Sequence, residues 1–94
     1  MRIESLAMAT ARLEDEMKAC TDVYTFSSLL DNATSFDIVS NIVDDIAKST
    51  KMYLGEKRWI RQENGYELRV GFAPTEAMWF KKYGDGKAYK GYNK

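Results

Sequence analysis

Residues 58–72 read RWIRQENGYELRVGF, and the spacing of apolar residues changes from helical to alternating in this part of the chain. Its second half carries apolar residues at every other position, at Tyr66, Leu68, Val70 and Phe72. A period of two is typical of a strand with one buried face. The preceding run, 58–62, is joined to it by Glu63-Asn64-Gly65, which is a turn signal. The sequence therefore predicts an antiparallel hairpin over about residues 57–72.

Two registers fit this hairpin. A two-residue loop sets Ile60 opposite Arg69. A three-residue loop sets Ile60 opposite Leu68 and Arg61 opposite Glu67. We prefer the three-residue loop because it pairs an apolar residue with an apolar one and a base with an acid, which stabilises neighbouring strands.

On the N-terminal side of the hairpin, apolar residues recur with helical spacing and predict three helices within about residues 3–54. The first helix covers about residues 3–19. A short second helix follows over Val23 to Leu30. The third begins at Thr34 or Ser35, and its periodicity extends to Gly55, a residue type that commonly ends a helix in the left-handed conformation.

On the C-terminal side, the segment after Pro74 fits two structures. Thr75 is a suitable N-cap for a helix from Glu76 to about Tyr83, and we favour this helix. The alternative is a second hairpin formed by residues 79–83 and 87–92. A basic segment rich in Tyr and Lys covers about residues 81–94. We find no internal repeat, and the 94 residues predict a single α+β domain.

Three helices followed by a hairpin resemble the element order of a winged helix-turn-helix module. Within the turn region, Thr34 stands where that family usually has an apolar residue, and Leu29 where it commonly has a small one. The resemblance implies a DNA-reading third helix. That helix presents an acidic face instead, with only Lys48 as a base, and acid repels phosphate. The acidic face consists of Asp37, Asn41, Asp44 and Asp45.

Residue types that are missing exclude several kinds of chemistry. The chain has no histidine and one cysteine, Cys20. A Ser-His-Asp or Cys-His relay and a Cys-His zinc site are therefore excluded. We expect Cys20 to be a buried, inert thiol, and we predict no catalytic residue, no metal site and no cofactor.

The apolar runs are far shorter than the roughly 20 residues of a membrane span or the 7 to 15 of a signal-peptide core. We therefore expect no membrane partner. A cytoplasmic location is the simplest interpretation of a chain with a single cysteine.

The net charge of zero hides an asymmetry between the two halves of the chain. Residues 1–50 carry four basic and nine acidic side chains, whereas residues 51–94 carry ten basic and five acidic ones. The first half therefore has a net charge of −5 and the second half +5. Such opposite charges suit electrostatic recognition of a partner.

The basic half supplies the candidate binding residues because cations stand among aromatic side chains there, a combination suited to protein interfaces and to stacking on bases. These residues are Lys57, Arg58, Trp59, Arg61, Arg69, Trp79, Lys81, Lys82, Tyr83, Lys87, Tyr89, Lys90 and Tyr92. The sequence thus predicts a non-enzymatic protein-binding module, such as an adaptor, a regulator or a stoichiometric inhibitor of the kind that small phage proteins provide. Nucleic-acid binding through the hairpin and tail is the alternative, and a homo-oligomer through the acidic and basic halves is the third hypothesis.

Overall fold

The structure is a computed structural model that describes residues 2–84 and 89–93, with side chains up to residue 84. It shows a small α+β domain. Its elements in chain order are α1 (Leu6–Lys18), β1 (Tyr24–Leu30), α2 (Phe36–Thr50), β2 (Tyr53–Arg61), β3 (Tyr66–Ala73), α3 (Glu76–Tyr83) and β4 (Tyr89–Asn93).

The strands form one sheet in the order β1-β3-β2-β4. Strand β3 pairs antiparallel with both β1 and β2, and β4 pairs parallel with β2. Because β3 separates two parallel strands that α2 connects, β1, α2 and β2 form a split βαβ unit.

Helices α1 and α2 form a helix layer on one face of the sheet. Each begins after a serine in extended conformation, Ser5 or Ser35, and the Ser5 side chain accepts a hydrogen bond from the backbone of Met8. Each helix buries one residue per turn at the same spacing. These six residues are Ala9, Leu13, Met17, Val39, Val43 and Ala47. Although the sequence shows no repeat, the chain thus uses the same helix-then-strand design twice, 30 residues apart.

The hydrophobic core lies between this helix layer and the sheet. Trp59 is its largest fully buried side chain. The Trp59 ring stacks on Tyr66 with centroids 5.0 Å apart, and Phe36 of α2 lies 5.5 Å away. The fully buried side chains of Phe26, Leu30, Leu68, Val70 and Phe72 complete the sheet side of this core.

The outer edge of β1 is covered by the N-terminal part of the chain. The Arg12 guanidinium donates to the carbonyl of Ser27, and the backbone N–H of Glu4 donates to the carbonyl of Leu29. Arg12 is itself held by the Glu4 carboxylate and lies 4.3 Å above the Phe26 ring. Exposed sheet edges recruit other strands, so these contacts protect β1 from such pairing.

The predicted second helix was wrong, because residues 24–30 form strand β1. Consequently the chain does not have the element order of a winged helix-turn-helix module. The spacing of Phe26, Leu29 and Leu30 fits a helix, but it also fits a strand of which both faces are buried. The inward-facing positions of β1 include Ser28, and this buried polar residue hid the period of two.

The third helix is shorter than predicted. It ends at Thr50, and Lys51 adopts the left-handed conformation with φ 61°. Gly55 does not end the helix but lies inside β2. The predicted helical periodicity of α2 is otherwise present, with Val39, Val43 and Ala47 on its buried face.

The hairpin is confirmed, but both predicted registers were wrong. The structure pairs Trp59 with Leu68, Ile60 with Glu67 and Arg61 with Tyr66, so residues 62–65 form the loop. Burying the apolar face of each strand matters more than matching the residues opposite each other, because a shift by one residue would turn Trp59 or Leu68 out of the core. Gly65 does not have a positive φ; a side chain there would overlap the carbonyl oxygen of Leu30.

The predicted helix after Pro74 is confirmed, and the alternative second hairpin is wrong because residues 79–83 are helical. Thr75 caps α3 by accepting from the backbone N–H of Met78 at 3.2 Å, and Gly84 follows its end with φ 82°.

Candidate functional site

Lys57 lies on the helix-facing side of β2 and is almost completely buried. Its Nζ is 2.7 Å from Oδ1 of Asp44 on α2. A predicted binding residue and a member of the predicted acidic face therefore neutralise each other within the chain. This ion pair joins the helix layer to the sheet.

Arg58 and Arg69 are register partners on the opposite face of the sheet. Arg58 donates to Glu56 at 3.3 Å, and Arg69 donates to Glu67 at 3.2 Å. The structure thus brings two predicted binding residues together, but it surrounds them with two carboxylates. This part of the sheet is balanced in charge, which makes it a poor surface for a polyanion.

Glu67 organises the polar groups of that face. Its carboxylate accepts from the Ser27 hydroxyl at 2.6 Å and from the Gln62 amide at 3.0 Å. Burial acts to raise the pKa of Glu67, but the hydrogen bonds from Ser27, Arg69 and Gln62 outweigh it and hold the pKa below its ordinary value. A depression of about 260 Å³ beside Glu67 is lined by Leu29, Gln62, Glu63 and Asn64 as well. The Glu67 carboxylate in this depression already accepts hydrogen bonds from three side chains of the protein, those of Ser27, Gln62 and Arg69.

The two predicted tryptophans are packing residues in this structure. Trp59 lies in the core, as described above. Trp79 of α3 is 3% exposed and lies on the other face of the sheet, flat against Gly55 and Gly71. A Cβ at Gly71 would stand 2.5 Å from Cη2 of the Trp79 ring. The two glycines therefore form the platform that holds α3.

Three predicted cations are exposed: Arg61 at the end of β2, and Lys81 and Lys82 on α3. Within the residues that the structure describes, no carboxylate lies within ion-pair distance of Lys81 or Lys82. Lys82 Nζ lies 5.7 Å from the ring centroid of Tyr83, which is itself 37% exposed and packs on Trp79. Three adjacent predicted residues of α3 are thus available at the surface.

Lys81 and Lys82 line a depression of about 440 Å³ together with Met78, Asp22 and Val23. A second depression, of about 300 Å³, lies on the other side of Asp22 and Val23. Its lining comprises Glu16, Ala19, Cys20, Thr21, Asp22, Val23 and Tyr24. The two depressions lie on different faces of the sheet, because Tyr24 of the second packs on Phe72 beneath the helix layer, whereas α3 lies on the opposite face. We call the first depression, lined by Asp22, Val23, Met78, Lys81 and Lys82, the α3 groove.

Tyr24 forms an exposed wall of the second depression, on the helix-layer face of the sheet. It is 46% exposed, and its ring packs on Phe72 with centroids 5.6 Å apart. A hydrogen bond with Glu16 and the charge of that residue raise the pKa of Tyr24. Tyr24 is thus a neutral, positioned ring at the rim. Sequence reasoning missed it because Tyr24 fell inside the segment assigned to a helix.

Cys20 also lines the second depression. Burial raises its pKa, and its Sγ donates to the carbonyl of Asp22 at 2.8 Å. The side chain is partly buried rather than fully enclosed. A thiol with a raised pKa is a weak nucleophile.

The predicted acidic face divides in two. Asp37, Asn41 and Asp45 are exposed on the outside of α2, whereas Asp44 turns toward Lys57. Of the predicted residues near the C-terminus, Lys87 lies outside the described residues. For Tyr89, Lys90 and Tyr92 the structure gives the backbone, which belongs to β4.

Among residues 2–84 and 89–93, no three His, Cys, Asp or Glu side chains are grouped so that they could hold a metal ion. Within the same residues, the helices are too short and too polar to cross a membrane. Comparisons of the chain with protein-family models, with curated proteins and with solved structures found no match.

Proposed function

We propose that this protein is a non-enzymatic module that binds another protein, as an adaptor, a regulator or a stoichiometric inhibitor, and that the α3 groove is its binding site. The observation that carries this proposal is the state of the predicted cations. Lys57, Arg58 and Arg69 have carboxylate partners inside the chain, whereas Lys81 and Lys82 have none within ion-pair distance among the described residues and line the α3 groove.

The chemistry of the groove defines the partner segment that fits it. Val23 and Met78 offer apolar surface, and the two lysines outnumber the one carboxylate, that of Asp22, so the groove is positively charged. A segment with an apolar side chain followed or preceded by acidic ones satisfies both. Rim charges of this kind steer association and select partners.

Two features favour binding over catalysis and over nucleic acid. The Cys20 thiol, the chain's one soft nucleophile, has a raised pKa and no histidine to activate it. The arginines of the hairpin are matched by Glu56 and Glu67, so they contribute little net charge for phosphate.

A paired charge reversal tests the proposal. Wild type, Lys81→Glu/Lys82→Glu and the control Lys48→Glu/Lys51→Glu are used to capture proteins from cells that produce the protein, with identification by mass spectrometry. The control changes net charge equally at two exposed lysines on and beside the end of α2. We expect wild type and control to capture the same partner and the α3 variant to lose it. Equal capture by all three would refute the groove as the site.

The nucleic-acid alternative is tested separately. If the protein binds DNA or RNA through several phosphates, its affinity for a duplex or single strand falls steeply between about 50 and 200 mM salt. We expect no measurable binding at the lower salt concentration. Steeply salt-dependent binding that Arg58→Ala/Arg69→Ala abolishes would replace the protein-binding proposal.

A further inference from the structure

The outer side of α2 carries the chemistry that the α3 groove fits. Asp37, Asn41 and Asp45 recur every fourth residue and are exposed, so they form a stripe along the helix. Ile38 lies beside this stripe and is 56% exposed, one of the most exposed large apolar side chains among the described residues. We call Asp37, Ile38, Asn41 and Asp45 the α2 stripe.

The acids of the α2 stripe are not used inside the chain. Neither Asp37 nor Asp45 lies within ion-pair distance of a base in the described part of the protein. The nearby carboxylate that does have a lysine, Asp44, pairs with Lys57 and is not part of the stripe. The stripe therefore offers two unpaired negative charges and one apolar side chain. From Asp37 to Asp45 it extends about 12 Å along the helix, at 1.5 Å per residue.

The fold prevents the stripe and the groove of one chain from meeting. Helix α2 packs on the face of the sheet that carries Trp59, whereas α3 packs through Trp79 on the opposite face, against Gly71. The sheet lies between the two helices. Only two different copies can bring the two surfaces together.

We propose that the α2 stripe of one copy docks in the α3 groove of a second copy, with Ile38 against Val23 and Met78, and with the stripe's acids near Lys81 and Lys82. The inference rests on the proposed function, because it uses the α3 groove as a docking site, and it names a second copy of the chain as an occupant. The contact is heterologous, so each added copy leaves one stripe and one groove open. Growth therefore continues head to tail until it closes into a ring.

Sedimentation velocity over a concentration series, at ionic strengths of about 0.01 M and 1 M, provides the test. The Debye length is about 30 Å in the first condition and 3 Å in the second. We expect the average mass to rise with concentration at low ionic strength and to equal that of one chain at high ionic strength. A single-chain mass at every concentration in the low-salt condition would overturn the inference.

Charge reversal on each surface identifies the contact. Lys81→Glu/Lys82→Glu alone and Asp37→Lys/Asp45→Lys alone should each weaken association about tenfold or more, because like charges then face each other. An equimolar mixture should recover association, since each reversed surface meets its reversed complement. Glu63→Lys, on the exposed hairpin loop, is the control and should associate as wild type does. Association of either reversed variant at wild-type strength, or failure of the mixture to recover it, would contradict the proposal.

The outcomes also separate this inference from the proposed function. If the protein does not self-associate but Lys81→Glu/Lys82→Glu loses a captured partner, the groove remains a site for another protein and the second-copy inference falls. If self-association shows the expected charge dependence and no other protein is captured, the proposed function falls in favour of an assembly of this chain alone.

Discussion

The two sides of the sheet are held in different ways. On one side, α1 and α2 each bury three side chains against the strands, and the core runs without interruption beneath them. On the other side, α3 buries one residue, Trp79, on a platform of two glycines. The difference separates two tasks: the helix layer supplies most of the stability, and the α3 side presents the unpaired cations. Four predictions test this separation.

The largest expected effect concerns the two tryptophans. Trp59→Ala empties the centre of the core and should lower the free energy of unfolding by about 3 to 5 kcal/mol. Trp79→Ala should lower it by about 1 to 3 kcal/mol, because only α3 depends on that ring. Urea unfolding followed by circular dichroism measures both values. If the Trp79 variant were as unstable as the Trp59 variant, the proposed separation would be wrong.

A smaller effect comes from the platform under α3. Gly71→Ala places a methyl group against the Trp79 ring and should cost about 1 to 3 kcal/mol, as overpacking commonly does. In a Trp79→Ala background the same substitution should be neutral or stabilising, since glycine weakens a strand interior. A double-mutant cycle on unfolding free energies measures the coupling. Equal costs in the two backgrounds would show that the close approach does not hold α3.

The ion pair between the helix layer and the sheet gives the third prediction. Asp44→Ala leaves the ammonium of Lys57 buried without its carboxylate and should cost about 1 to 3 kcal/mol. Lys57→Met removes the buried charge instead and should be neutral or stabilising by about 1 kcal/mol or more. Thermal and urea unfolding rank the two variants. A Lys57→Met protein less stable than the Asp44→Ala protein would contradict this account.

The smallest effect is in the pH dependence of the free energy of unfolding. The prediction compares one carboxylate from each side of the sheet. Hydrogen bonds hold the pKa of Glu4, beside Arg12, and of Glu67, beside Ser27, below their ordinary values. A lowered folded pKa means that the stabilisation is present above the unfolded value of about 4.3 and is lost as pH falls through the folded value.

We therefore expect wild type to lose more unfolding free energy between about pH 6 and pH 3 than Glu67→Gln or Glu4→Gln does. Urea unfolding at several pH values measures this slope. A variant as acid-sensitive as wild type would show that its carboxylate is not stabilised by the fold.

The regular alternation of β3 made the hairpin predictable, and the caps made α3 predictable. In β3 the inward residues are Leu68, Val70 and Phe72, and their period of two appears directly in the sequence. In α3 the Thr75 cap and Gly84 mark both ends. Local chemistry alone was sufficient in these segments.

The segment at β1 was not predictable in the same way. Ser28 is buried there because its hydroxyl donates a hydrogen bond to the Glu4 carboxylate, 24 residues earlier. Leu29 lies on the face opposite to Leu30, and both are buried. Neither fact can be obtained from the local sequence, since the first depends on a distant partner and the second on a sheet with both faces covered.

The sequence predicted only the net charge of each half of the chain, and it did not predict which charges of the candidate site are paired. The sequence showed a basic half, and Lys81 and Lys82 belong to it. It did not show that Lys57 would be paired with Asp44, because that contact depends on how α2 crosses the sheet. The groove itself combines Asp22 and Val23 with α3, segments more than 50 positions apart, and such a combination exists only in the folded chain.

The position of β3 between β1 and β2 has a consequence for synthesis on the ribosome. Until residues 66–73 have emerged from the exit tunnel, β1 and β2 have no strand between them with which to form ladders. Two helix-and-strand segments must therefore wait, with their apolar sides uncovered, for a strand that is made after both of them. Chaperones that shield nascent chains would meet this protein during that interval, and its folding rate should be set by closing the sheet around β3.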